Sequence, residues 1–188
     1  MYCVAKRSFE EALRIDPSSA DTMYLLGLTC YFESENDTSE ARQWFLRALD
    51  ADPAMARARL YLAHCLQDEG KWQEALNEYE RVNLKQLSYE MQPWHLNRLR
   101  EQMGYCCMRL GRKEDSIRLF ELVLGQYENA DPDNLPDDLI GYPSELIDAA
   151  TSELAYRLFD RVEKLVKRYG WETFYAEKIA RGKLAKLR

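Results

Sequence analysis

Apolar residues recur along most of this chain at i, i+3, i+4 and i+7, a spacing that gives helices rather than strands. Glycine and proline cluster between the periodic segments, where helix ends need them. Phe9, Ala12, Leu13 and Ile15 stripe a first helix that ends at Asp16-Pro17. Ser18, with Asp21 three residues later, offers an N-cap for a second helix over 20–33. A polar turn over 34–38 leads to a third helix over 39–50, closed by Asp52-Pro53. The fourth covers 55–69 and stops at Gly70; the fifth covers 72–82. Segment 83–92 reads as a longer connection. Pro93 suits the first turn of a sixth helix over 94–110, stopped by Gly111, and a seventh spans 113–127. Residues 128–143 hold three prolines, five acidic residues and Gly141, and read as a loop. One long helix is expected over 144–169, with Leu146, Ile147, Ala150, Leu154, Leu158, Val162, Leu165 and Tyr169 on one stripe. A shorter helix that turns basic is expected after Gly170.

The helices also repeat. Ala5, Phe9, Ala12 and Pro17 share their spacing with Ala41, Phe45, Ala48 and Pro53. Ala75, Tyr79 and Val82 form a third copy, closed by Leu87 in place of proline, and Ser116, Phe120 and Val123 a looser fourth. The steps from Phe9 to Phe45, Tyr79 and Phe120 are 36, 34 and 41 residues, a period that means stacked supersecondary units. Between these copies runs a second pattern: Met23, Leu26, Gly27 and Cys30, then Arg59, Leu62, Ala63 and Leu66, then Arg100, Met103, Gly104 and Cys107. The small residue lets a paired helix approach and the large ones fill the space beside it.

These two patterns resemble the tetratricopeptide repeat family over residues 2–127. The copies depart from the family where Met23, Arg59 and Arg100 replace a bulky aromatic. The resemblance implies an all-α solenoid of helical hairpins, a right-handed superhelix, here of about three and a half repeats. The units would be a half repeat over 1–17, then 20–53, 55–87 and 93–127. Loop 128–143 and a C-terminal capping helix with a basic tail over 144–188 would complete the chain, because end repeats of such arrays need a cover. The chain begins half-way through a repeat, so it is expected either to open on a capping helix or to be part of something longer.

The resemblance further implies that the first helix of each repeat lines a concave wall. The residues expected there are Tyr24, Leu28 and Tyr31 on the first such helix, with Phe32 beside them. Arg57, Leu60, Tyr61 and His64 follow on the next, and Arg98, Glu101, Tyr105 and Arg109 on the third. Aromatic rings with scattered arginines suit an extended or helical protein segment bearing acidic and apolar side chains. The family's clamp for chaperone C-terminal carboxylates is not expected, because Tyr24, Leu28 and Tyr61 stand where it places lysine and asparagines. Only Arg98 keeps the charge.

Composition narrows the reading. A formal net charge of −6 argues against a general nucleic-acid binder. No apolar run reaches the roughly 20 residues of a membrane helix. The N-terminal residues run straight into a repeat, so no secretory signal is expected there. Five cysteines (Cys3, Cys30, Cys65, Cys106 and Cys107), with no C-x-x-C, read as buried thiols and point to a reducing cytoplasm. Two histidines, His64 and His95, make no metal pattern. Asp131, Asp133, Asp137 and Asp138 lack the glycine and closing glutamate of a calcium loop. No catalytic, cofactor or metal residues are expected. The expected function is a non-catalytic scaffold or adaptor that binds a protein or peptide on its concave face. The alternatives are self-assembly, as a homo-oligomer held by the tail Lys178, Arg181, Lys183, Lys186 and Arg188 with Trp171, Phe174, Tyr175 and Ile179, or a regulatory region of a larger protein.

Overall fold

The computed structural model describes residues 2–34, 37–139, 141–152 and 154–187; the Cys3 side chain and Arg188 lie outside what it describes. The described residues form α-helices joined by turns and one three-residue 3-10 helix, with no strand among them beyond an isolated bridge between Asp131 and Asn134. The chain divides into two compact units, Met1–Met91 and Gln92–Arg188.

The first unit holds α1 (Tyr2–Ile15), α2 (Ala20–Glu33), α3 (Ser39–Ala51), α4 (Ala56–Asp68), α5 (Trp72–Glu80) and α6 (Leu84–Glu90). Consecutive helices pack as hairpins, α2 on α3 and α4 on α5. Where α2 meets α3, Gly27 lies under the Phe45 ring: a Cβ on Gly27 would come within 2.6 Å of it. The N-cap of α2 is Ser19 rather than Ser18, its Oγ accepting from the Thr22 N–H at 3.2 Å. Ala75 is fully buried on α5, which packs on α4. Ala75→Leu should therefore overpack the contact and lower stability by about 1–3 kcal/mol; an unchanged thermal midpoint would mean that Ala75 is not a packing anchor.

Segment 83–92, expected as a connection, contains α6. Asn83 caps it, its Oδ1 accepting from the Lys85 and Gln86 N–H groups, and Leu87 is its buried anchor. Leu84 and Tyr89 stay exposed, so the segment carries too little apolar periodicity to read as a helix. Glu90, at its end, reaches back to α4. The carboxylate accepts from the Arg57 N–H at 2.9 Å and the Ala56 N–H at 3.4 Å, while Gln86 Nε2 holds it at 2.7 Å. Helix α4 has no side-chain cap of its own, so α6 supplies one to its positive end.

The second unit holds α7 (Trp94–Arg109), α8 (Lys113–Asn129), the 3-10 helix Asp137–Leu139, α9 (Ser144–Ser152), α10 (Ala155–Arg168) and α11 (Glu172–Lys186). The single long helix expected over 144–169 is two helices. Near the break, Thr151 Oγ1 donates to the Ile147 carbonyl at 2.7 Å and Ser152 Oγ to the Asp148 carbonyl at 2.5 Å. Such back-bonding competes with the helix ladder. The Leu154 N–H then turns to Ala149 O, five residues back, at 2.9 Å. No glycine or proline marks this break, which is why the apolar stripe runs through it unbroken. The two pieces pack on one another, α9 also on α7 and α10 also on α8.

The turn from α10 into α11 is built like the turns from α4 into α5 and from α7 into α8. A glycine with positive φ (Gly70, Gly111, Gly170) is followed by an N–H that bonds a carbonyl five residues back: Lys71 to Leu66, Arg112 to Cys107, Trp171 to Val166. The C-terminal segment is thus a further helical hairpin, closed where Gly182 lets Phe159 against α11.

Candidate functional site

In the first unit the outward stripes of α2 and α4 put aromatic rings side by side. Tyr61 stacks on Phe45 at 5.7 Å and meets Tyr24, Tyr31 and Phe32 edge-on at 6.0, 5.7 and 6.3 Å. Phe32 is 56% exposed, while Leu28, Tyr31, Tyr61 and His64 are half-buried. Leu60 points inward and is buried, as is Tyr24. Arg57 lies over the Tyr24 ring at 4.6 Å and pairs with Asp21, which holds its charge against the aromatic surface. Tyr31 Oη donates to Asp68 at 2.8 Å; burial first, then Asp68, push the phenol pKa up. Burial alone raises Tyr61 and is the main cause for Tyr24. These phenols are neutral hydrogen-bonding groups on an apolar floor, not acids.

His64 is tied to the helix behind it. Tyr79 Oη donates to Gln67 at 3.0 Å, so it is left to accept from His64 Nδ1–H at 2.6 Å. Beyond Tyr31 and Phe32 the surface opens into a cleft of about 530 Å3 bounded by Ser34, Asp37, Thr38, Asp68 and Glu69.

In the second unit the expected wall residues Arg98 and Glu101 hold the chain's own helix α9. Arg98 Nη2 donates to Glu145 Oε1 at 2.8 Å, and Nη1 serves Glu145, Glu101 at 2.7 Å and Ser144 at 3.2 Å. Glu101 is 3% exposed, and its other oxygen accepts from the Leu146 N–H at 3.0 Å, inside the first turn of α9. Burial, and then the neighbouring Glu145 carboxylate, push the Glu101 pKa up to about 8 against the opposing pull of Arg98 and the Leu146 amide. Tyr105 packs partly buried on this unit's core. Tyr105 and the exposed Arg109 border a cavity of about 250 Å3 with Asp148, Lys178 and Arg181. The first seven expected residues thus fall in one unit and the last four in the other.

Glu145 and Glu90 are functional residues that spacing along the chain does not reveal. Each acts on a helix dozens of residues away, and nothing local to either marks it out. Among the described residues no group of three or more His, Cys, Asp or Glu could hold a metal ion, and no helix is long and apolar enough to cross a membrane.

Comparison with known proteins bears on the repeats. Two profiles, each described as tetratricopeptide repeat, match residues 2–56 and 32–88. A 66-residue stretch is 39% identical to tetratricopeptide repeat protein 37 of Xenopus laevis. That stretch is 34% of this chain and 4% of the relative, so the match spans a small fraction of the curated protein's length. Among solved structures, a crystal structure of MamA aligns with a TM-score of 0.61 and 16% identity, over 99% of this chain and 91% of that one. A second, titled crystal structure of MamA protein, aligns at 0.54 and 22% identity, over 68% of this chain and 64% of that one. At these identities the likeness is one of fold.

Proposed function

Residues 2–88 are tetratricopeptide repeats, and from that premise we propose that the chain is a non-catalytic scaffold whose partner docks on the aromatic face of α2 and α4. The repeat register proposed is 20–53, 55–87 and 93–127. The observation that carries the reading is the ring cluster of Tyr31, Phe32 and Tyr61, drawn from two first helices and left partly open to solvent. A partner segment would seat apolar side chains on these rings, and its polar groups would meet Asp68, His64 and Arg57 at the margins. Arg98 and Glu101 support the same reading by contrast. On α7 the equivalent stripe grips an acidic side chain, Glu145, and the main-chain N–H of Leu146, groups that a bound segment would also present.

The test begins with unbiased capture of partners by the purified chain. For a partner so found, Tyr61→Ala should weaken binding about 30-fold, the equivalent of roughly 2 kcal/mol for an aromatic hot spot, with helical circular dichroism intact. A partner indifferent to both Tyr61→Ala and Phe32→Ala would place the site elsewhere.

A second reading, self-association, draws on α11 and the residue that caps it, where Phe174, Leu184 and Leu187 are 72%, 64% and 85% exposed. It expects a dimer in sedimentation that Phe174→Ser with Leu184→Ser dissolves; a monomer at all concentrations removes it.

A further inference from the structure

The second unit holds a half-open cavity of about 250 Å3 between α7, the 3-10 helix and the start of α9. Most polar groups around it are spent on one another. The Arg98 guanidinium is directed at Glu145, Glu101 and Ser144, Tyr127 Oη donates to Gly141 O at 3.0 Å, and Ser144 Oγ donates to Glu145 at 2.7 Å. Two acceptor groups are not spent. Asn97 lines the cavity, is 5% exposed, and its Oδ1 has no hydrogen-bond partner. Asp138, half-buried in the 3-10 helix, lines the same cavity and makes no hydrogen bond or ion pair among the described residues. The unmet buried atom is therefore an acceptor and the unmet charge a carboxylate, beside the rings of Trp94, Tyr127 and Tyr142; the unbonded Trp94 Nε1–H and Tyr142 Oη–H belong to residues partly open to solvent.

We propose that this cavity binds a guanidinium group, that of an arginine side chain. A guanidinium brings five N–H donors and no acceptor, which fits a site whose buried unpaired atom accepts and whose unpaired charge is negative. It lies flat on aromatic rings, and its charge offsets the Asp138 carboxylate. The volume is below that of pockets for drug-sized ligands, so it takes the tip of one side chain rather than a length of backbone. A buried acceptor left unpaired costs stability, and the cost is recovered only when a donor arrives. The site belongs to the second unit and the α2–α4 face to the first, so either proposal can fail without the other.

Nuclear magnetic resonance of the purified chain tests it, read at the Trp94 indole N–H and the Asn97 side-chain amide. The titrants are a blocked Gly-Arg-Gly tripeptide, the same peptide with citrulline, and free arginine. The arginine peptide should shift both signals saturably, and the citrulline peptide, alike in shape but uncharged, should bind at least 10-fold more weakly. Free arginine binding more tightly than the peptide names a free small molecule as the source of the guanidinium, and weaker binding names a protein segment; either supports the site. Asp138→Asn should reduce affinity about 10-fold at an unchanged thermal midpoint. Asn97→Leu should abolish binding while the midpoint holds or rises, which a merely structural asparagine would not allow. Should Asn97→Leu fail to fold, Asp138→Asn decides alone. Equal affinity for arginine and citrulline, no saturable shift in the unaltered chain, or full affinity in Asp138→Asn overturns the proposal.

Discussion

Phe45→Ala should lower the stability of the first unit by about 3–5 kcal/mol, the largest single loss expected in this chain. The ring is fully buried, stacks on Tyr61 at 5.7 Å and meets Tyr24 at 6.0 Å. It also lies directly over Gly27, which has no side chain to move into the vacated space. Helices α2, α3 and α4 all border the ring, so a cavity there cannot close by shifting one of them. Deletion of a large buried ring costs its transfer free energy and the cavity besides. Urea unfolding should show the midpoint falling with little change in slope. Phe45→Leu, which keeps most of the volume, should cost less than half as much. A loss under about 1 kcal/mol for the alanine variant would mean that Phe45 does not hold these helices together.

Arg98→Ala should cost roughly 3 kcal/mol above pH 8, because removing one partner of a buried ion pair strands the others. Arg98 stands between two carboxylates, Glu101 and Glu145, and neither has another cation within an ion-pair distance among the described residues. The loss should depend on pH in a definite direction. Burial and Glu145 hold the Glu101 pKa at about 8, above its ordinary 4.5. A group raised on folding contributes stability that is fully present below its unfolded pKa and is lost as the pH rises through its folded one. Taking away Arg98 removes a charge that favours the ionised form, so it raises that pKa further. The deficit of the variant should therefore be largest above about pH 8 and shrink towards pH 5, where a proton replaces the missing guanidinium. Glu101→Gln placed on Arg98→Ala should restore part of the stability. An equal deficit at pH 5 and pH 9 would show that Arg98 acts through packing alone.

The repeats were legible because their signal is local. Ala41, Phe45 and Ala48 sit within two turns of one helix, and Gly70 and Gly111 mark turns that need positive φ. The break between α9 and α10 was not legible, since the hydrogen bonds of Thr151 and Ser152 leave the apolar period undisturbed. Helix α6 was hidden for the opposite reason. Asn83 supplies a cap, but with Leu87 as its one buried residue the segment has no stripe to detect. The candidate site divides the same way. Which residues share the outward stripe of α2 or α4 follows from spacing. What covers a stripe does not, and Arg98 and Glu101 show it: only the fold brings Glu145, 47 residues from Arg98, onto α7.

Among the described side chains each unit carries two thiols buried in its interior, Cys30 and Cys65 in the first, Cys106 and Cys107 in the second, none in a disulfide. Burial pushes the Cys65 and Cys106 thiols up to about 12 and Cys30 to about 11, so almost none is thiolate at neutral pH, and a reagent that attacks sulfur must wait for the helices to part. Mass-resolved alkylation of the unmodified protein thus becomes a clock for spontaneous opening with a separate hand for each unit, and the rate at which a partner slows either hand reports which half of the molecule it has grasped.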